Sequence, residues 1–157
     1  MFYMFNQNNS GGWFTVNDTL CHRVIIEADS KSEAVSIAED LGCYWDGVDQ
    51  GIDCSCCGDR WGRSPRLITE DLLSWYGVSA MSFAEWKRKY SRYQVVTAPE
   101  RRKDGFSGIT GVISFENIEE YAQYLANEFG WTTPDVRIFY KDGTVTEIFS
   151  EKFKRGV

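Results

Sequence analysis

The sequence predicts an α+β fold, with a mainly antiparallel sheet and about three helices packed on it. Three observations lead to this class. Short apolar segments of strand length stand near both ends of the chain, three helix-capping pairs lie between them, and an Asp142-Gly143 dipeptide marks a tight turn in the last twenty residues. The 157 residues fit a single domain spanning 1–157.

The N-terminal elements are predicted from alternating apolar and polar segments. Residues 2–17 are expected to form a hairpin with a wide loop, because apolar residues 2–5 and 13–16 flank a polar stretch that ends in two glycines. Residues 23–27 are rich in β-branched side chains and predict a further strand after the hairpin.

Three helices are predicted from capping boxes, in which Ser or Asn is followed three residues later by Glu. Each box precedes apolar residues at helical spacing. The pairs are Ser30 with Glu33, Ser82 with Glu85 and Asn117 with Glu120, and they predict helices over residues 31–41, 83–93 and 118–129.

The remaining segments are predicted from turn residues and short apolar runs. Residues 43–63 contain many Gly, Asp and Cys, which indicates an ordered loop without regular structure. A short helix is expected after Thr69 and a strand at 95–97. The Asp142-Gly143 turn predicts a hairpin over residues 136–149.

Charge argues against a protein that coats DNA regardless of sequence. The chain has 17 basic and 23 acidic residues, a net charge of −6. Residues 85–104 nevertheless form a basic island, in which Lys87, Arg88 and Arg92 are interleaved with aromatic rings. Such a mixture suits phosphates and stacked bases. The alternative is a helix whose rings are buried and whose basic side chains face solvent.

Cysteine usage and the absence of targeting signals indicate a reducing compartment. No apolar run reaches the length of a membrane span, and the N-terminus lacks the basic start of a secretory signal. An odd number of cysteines, five in all, disfavours a disulfide framework. With one histidine and no nucleophile or phosphate-loop motif, the chain is not expected to be an enzyme.

A cysteine-rich segment is the candidate metal site. Cys54 and Cys57 have the C-x-x-C spacing of a zinc knuckle, and Gly58 follows them. A structural zinc site needs four ligands, whereas packing as small apolar side chains is the alternative. An Asp of the same loop is one further candidate ligand; the other candidates are Cys56, Cys43, Cys21 and His22.

Two loops are the candidate binding surface. Residues 6–12 combine turn-forming residues with the amide side chains of Asn6, Asn8 and Asn9. If this loop meets the cysteine-rich loop, Arg60 would engage an anion and Trp61 a flat group. The alternative gives both residues structural roles: Arg60 joins loop carbonyls and Trp61 fills the core.

Several segments together resemble a family of small uncharacterised proteins of tailed bacteriophages, including cyanophages. The most specific are Phe-Asn-Gln-Asn-Asn-Ser-Gly-Gly at residues 5–12 and Asp-Cys-Ser-Cys-Cys-Gly-Asp-Arg-Trp at residues 53–61. The resemblance covers residues 1–63 and 136–149, so residues 64–134 are interpreted as an insertion relative to shorter members. The family pattern leads to the expectation of a further Cys near Val48, which this chain lacks.

The resemblance implies a context and no known activity. It implies a non-enzymatic phage accessory protein that binds a host factor in the host cytoplasm, as an inhibitor of host defence or as a host takeover protein. The alternative is a zinc-stabilised binder of a nucleotide or nucleic acid, including capture of a nucleotide used in defence signalling.

Overall fold

The computed structural model describes residues 1–69, 74–75, 79–90, 111–127 and 134–150. The chain divides into two compact units. The first comprises Met1–Ile68 and Thr133–Ile148, and the second comprises Thr69–Thr132 and Phe149–Val157. The single domain over residues 1–157 and the insertion at 64–134 stay predictions.

The described residues contain eight strands and three α-helices, which confirms the predicted α+β class. In chain order they are β1 (Phe2–Asn6), β2 (Arg23–Glu27), α1 (Lys31–Leu41), β3 (Arg66–Ile68), β4 (Ser74–Trp75), β5 (Ser79–Ser82), α2 (Phe83–Tyr90), β6 (Gly111–Ser114), α3 (Ile118–Asn127), β7 (Val136–Phe139) and β8 (Val145–Ile148). No helix in these described ranges is long and apolar enough to cross a membrane.

The first unit is built on a five-stranded sheet with the order β3-β1-β2-β7-β8. Three of its strand pairs are antiparallel, and the β2–β7 pair is parallel, with Arg23 opposite Val136. The predicted C-terminal hairpin is confirmed, because β7 and β8 are joined by a turn in which Gly143 has a φ of 90°. Asp142 supports this turn by accepting a hydrogen bond from the Thr144 N–H.

One face of this sheet carries the core of the first unit. Alternate side chains of β1 and β2 share a face, because successive residues of a strand point to opposite sides. The buried side chains of this face pack against α1 and against Trp45 and Trp61, which lie in the loop that follows α1. This loop is therefore held directly against the sheet. The buried cluster includes Tyr3, Phe5, Val24, Ile26, Ala34, Ala38, Cys43, Trp45 and Trp61.

The predicted N-terminal hairpin is wrong. Strand β1 pairs with β2, and residues 13–16 form no strand. The Gln7 side chain explains the difference. Its amide nitrogen donates to the carbonyls of Thr15 and Cys21, and its amide oxygen accepts the Thr15 N–H. These contacts satisfy backbone groups that a return strand would have paired, so residues 7–22 form a long ordered loop.

The predicted N-cap hydrogen bonds are confirmed at all three helix starts. The reciprocal bond of a full capping box is made by Glu85, whereas Glu33 and Glu120 accept the N–H of the residue before the cap. The Ser30 hydroxyl accepts the Glu33 N–H at 3.1 Å, and Gly42 ends α1 in the left-handed conformation with a φ of 117°. The other two helices are capped by Ser82 with Glu85 and by Asn117 with Glu120. The predicted helix ends beyond Tyr90 and Asn127 lie outside the described residues.

The second unit contains a three-stranded sheet with the order β4-β6-β5. The short helix expected after Thr69 falls mostly outside the described residues; within that region, Ser74–Trp75 form β4, with Trp75 opposite Ile113. Strand β3 was also missed, because its partner β1 is distant in sequence. The predicted strand at 95–97 lies outside the described residues.

Candidate functional site

Two loops of the first unit contact each other directly: the asparagine loop (residues 6–12) and the cysteine loop (residues 54–61). The Asn8 N–H donates to the Arg60 carbonyl at 2.9 Å. The Asn8 side-chain amide donates to the carbonyls of Cys57 and Asp59 at 2.7 and 3.2 Å. The Ser10 hydroxyl accepts the Cys54 N–H at 2.9 Å. The two loops therefore form one continuous structure. Together with the flanking residues Trp13, Ile52 and Asp53, they are here called the joined loops.

Arg60 lies at the centre of the joined loops, with only 4% of its surface exposed. Its guanidinium donates to the carbonyls of Ser10 and Trp13 at 2.6 and 2.8 Å, and to the Gln7 side-chain oxygen at 3.0 Å. A fixed guanidinium fork suits such a set of diverging oxygen acceptors. Arg60 therefore has the structural role that was the alternative to anion binding, because its guanidinium joins carbonyls of the asparagine loop and Trp13.

Asp53 balances the buried charge of Arg60. One carboxylate oxygen lies 3.7 Å from the Arg60 Nε and accepts the Tyr44 hydroxyl at 2.6 Å. The other oxygen accepts the Arg60 N–H at 2.8 Å. Gly47 is required beside it, because a Cβ there would lie 2.0 Å from that second oxygen. The ion pair is therefore enclosed by residues that keep its geometry.

The two tryptophans of the joined loops have opposite environments. Trp61 is 1% exposed and belongs to the core cluster, which is the structural role that the sequence predicted as the alternative to ligand binding. Trp13 is 61% exposed, and its ring lies over the Arg60 guanidinium at 5.4 Å from Cζ to the ring centroid. Sequence reasoning missed Trp13 because it was placed in a strand. The signal was Gly11-Gly12 directly before it, since a Cβ at Gly11 would collide with the Trp13 ring.

The predicted asparagines occupy different positions in the joined loops. Asn8 is half-buried and makes the contacts described above, whereas Asn9 is exposed. Asn6 is exposed at the end of β1. The asparagine loop therefore contributes one structural amide and two that face solvent.

The basic residues of the predicted island belong to the second unit. Arg88 is exposed on α2, and Lys87 lies on the same helix with a side chain outside the described part. Arg92 lies outside the described residues.

Three cysteines form a compact turn in the cysteine loop. The sulfur of Cys56 lies 2.7 Å from that of Cys54 and 3.7 Å from that of Cys57, and all three lie within 4.8 Å of one another. The N–H groups of Cys57 and Gly58 both donate to the Cys54 carbonyl, and Gly58 has a φ of 91°. Three converging sulfurs could hold a metal ion, and thiolates favour soft or borderline cations such as zinc.

The thiols of this cysteine turn (residues 54–57) differ in acidity. Hydrogen bonds from the Cys56 thiol and from the Cys56 N–H lower the pKa of Cys54 from 9.0 to about 7. The same thiol–thiol contact raises the pKa of Cys56 to about 11. Cys54 therefore ionises before Cys56 as the pH rises, and the thiolate is the nucleophilic and metal-binding form.

The other predicted ligand, Cys43, lies apart from the cysteine turn. It is 5% exposed and belongs to the core cluster, and burial raises its pKa to about 12. Cys21 is fully buried, and burial likewise raises its pKa to about 12. Among the described residues, the cluster that could hold a metal consists of Cys54, Cys56 and Cys57.

Thiol titration should separate these two groups of cysteines. With a chromogenic disulfide reagent at pH 8, we expect three thiols of the reduced native protein to react without denaturant, Cys54 before Cys56 because its pKa is lower. The two buried thiols should react only after denaturation, because they are inaccessible. Cys57→Ser should remove one of the three accessible equivalents. A fourth thiol that reacts in the native protein would contradict this assignment.

The fold and the joined loops define an α+β protein with a three-cysteine turn on its first unit. Residues 1–93 match the family described as Domain of unknown function (DUF7296). This match covers more than half of the chain, so the chain belongs to that family. No curated protein and no solved structure matches it. The joined loops lie wholly inside the matched region.

Proposed function

We propose that this protein is a non-enzymatic binding module whose recognition surface is formed by the joined loops. One observation carries the proposal: buried Arg60 joins the two loops into one ordered structure that nevertheless presents large apolar side chains to solvent. Trp13 and Ile52 are 61% and 58% exposed, and Ile52 immediately precedes the Asp53 that pairs with Arg60. Ordering a surface in advance lowers the entropic cost of binding.

The exposed side chains favour a protein as the partner. Tryptophan is enriched among the residues that contribute most to protein–protein binding, and exposed apolar side chains on an ordered surface favour a partner that covers them. The exposed side chain of Asn9, in the asparagine loop, adds hydrogen-bond donors and acceptors to the joined loops. We therefore propose a host protein as the partner, bound in the host cytoplasm. The resemblance of residues 5–12 and 53–61 to proteins of tailed bacteriophages supports an accessory role, such as inhibition of host defence or host takeover.

Trp13→Ala should test this surface directly. We expect wild-type protein immobilised in host lysate to retain a partner that mass spectrometry identifies, and the purified partner to bind the Trp13→Ala variant at least about tenfold more weakly. The matched control is Val145→Ala, which changes another exposed apolar side chain of the first unit, 48% exposed on β8. Equal binding by wild type and the Trp13→Ala variant would refute the proposed surface.

A second candidate function is a zinc-stabilised binder of a nucleotide or nucleic acid, including capture of a signalling nucleotide. The three-cysteine cluster supports the metal part of this proposal, and exposed Arg88 supports contact with phosphate. Binding to nucleic acid should then weaken steeply with salt. If the protein is not retained on immobilised nucleic acid at low salt, and nucleotides do not raise its melting temperature, this candidate function is refuted.

A further inference from the structure

We propose that the cysteine turn holds zinc through three thiolates and that the fourth ligand is a cysteine or histidine of the bound partner. This inference rests on the binding function proposed above and specifies its chemistry. Structural zinc sites are completed as four cysteines or as three cysteines and one histidine. The cysteine turn supplies three sulfurs of such a set.

The chain has no further ligand of these types to offer. Its five cysteines and single histidine all lie in the described ranges. Cys43 belongs to the core, and the Cys21 sulfur donates to the Arg23 carbonyl at 3.1 Å. His22 is 4% exposed, with its ring 4.2 Å from that of Phe14. Each of these three would have to leave a buried position to reach a metal on the surface.

The two carboxylates that flank the cysteine turn in sequence, Asp53 and Asp59, are already engaged. Asp53 accepts hydrogen bonds from the Tyr44 hydroxyl and the Arg60 N–H, and it balances the buried guanidinium. The Asp59 carboxylate accepts the Val48 N–H at 2.9 Å. Turning Asp53 toward the sulfurs would break its contacts with Arg60, and turning Asp59 would break its bond to the Val48 N–H, so these carboxylates are poor candidates for the fourth position.

The cysteine turn is ordered by contacts that do not involve its sulfurs. Cys54 is held through its N–H by Ser10, and Cys57 through its carbonyl by Asn8. Metals that drive folding supply the order of their own site, whereas this site is already shaped by hydrogen bonds. We therefore expect zinc at this site to contribute to binding of the partner rather than to folding of the chain.

The position of the turn lets a partner reach the metal. Cys56 and Cys57 are exposed, and Asn8 connects their turn to the asparagine loop. A partner seated on the joined loops would thus have access to an open coordination position. A site with three protein ligands keeps such a position for an external group.

Cobalt titration of the reduced full-length protein tests the ligand count. We expect one cobalt per chain, with thiolate-to-cobalt charge-transfer absorption that disappears in Cys56→Ser and is unchanged in Cys43→Ala. Adding imidazole or N-acetylcysteine methyl ester should shift the visible cobalt bands saturably, because it fills the open position. A spectrum altered by Cys43→Ala, insensitivity to both added ligands, metal-dependent dimerisation or absence of cobalt binding would each overturn the inference.

The partner experiment separates this inference from the proposed function. We expect binding of the identified partner to weaken at least about tenfold in chelator and in the Cys56→Ser variant. If binding is unaffected by chelator and by Cys56→Ser but is weakened by Trp13→Ala, the inference that the protein and its partner share a zinc ion is refuted. The proposal that the joined loops form the binding surface is then supported. Binding weakened by chelator but unaffected by Trp13→Ala would refute the surface instead.

Discussion

Replacing Arg60 with alanine should lower the free energy of unfolding by about 3–5 kcal/mol, the usual cost of removing one member of a buried ion pair. The substitution leaves the Asp53 carboxylate buried without its guanidinium, and it leaves the carbonyls of Ser10 and Trp13 without their donor. Unsatisfied buried polar groups carry the larger part of such costs. Urea denaturation followed by tryptophan fluorescence would measure the change.

Arg63→Ala is the matched control for this experiment. Arg63 is three residues further along the chain and is exposed, so its removal should change the free energy of unfolding by less than about 0.5 kcal/mol. Arg60→Lys keeps the positive charge but loses the planar fork, and we expect an intermediate loss. An Arg60→Ala variant as stable as the Arg63→Ala control would refute the structural role of Arg60.

Trp61→Ala should destabilise the protein by about 3–5 kcal/mol, the range for deleting a large aromatic side chain from a core. Trp61 is 1% exposed and packs in the cluster that joins the sheet, α1 and the cysteine loop. The cavity left behind would open beneath the joined loops. Thermal and urea unfolding would both report the loss.

Trp13→Ala provides the opposite result on the same joined loops. Trp13 is exposed, so its removal should leave the free energy of unfolding within about 0.5–1 kcal/mol of wild type, including the loss of its ring contact with Arg60. Partner binding should fall instead. If Trp61→Ala were mild and Trp13→Ala severe in unfolding, the assignment of the two tryptophans would be reversed.

Features set by neighbouring residues could be predicted from the sequence. The Ser30–Glu33 box and Gly42 fixed both ends of α1, because caps and left-handed ends depend on residues within one turn. The Asp142-Gly143 turn specified the last hairpin for the same reason. At these positions the conformation favoured by the neighbouring residues is the one that the folded protein adopts, so long-range contacts do not change it.

Features set by distant residues could not be predicted in the same way. The partner of β1 was misassigned because Gln7 makes side-chain contacts that no periodicity reveals. The contact between Asn8 and Cys57 joins residues that are far apart in sequence. The cysteine cluster was predicted from its spacing, yet the exclusion of Cys43 depended on its burial. Which tryptophan faces solvent likewise depends on packing.

The parallel pairing of β2 with β7 has a consequence for how the protein is made. At roughly 5–20 residues per second, a ribosome needs on the order of 5–20 s to synthesise the roughly 110 residues between Arg23 and its partner Val136. During that interval one edge of β2 has no partner, while Val24, Ile25 and Ile26 make it strongly apolar. Unpaired apolar strand edges promote aggregation. The nascent chain is thus most vulnerable before its last hairpin is synthesised, and closing so long a loop should also slow refolding of the complete protein.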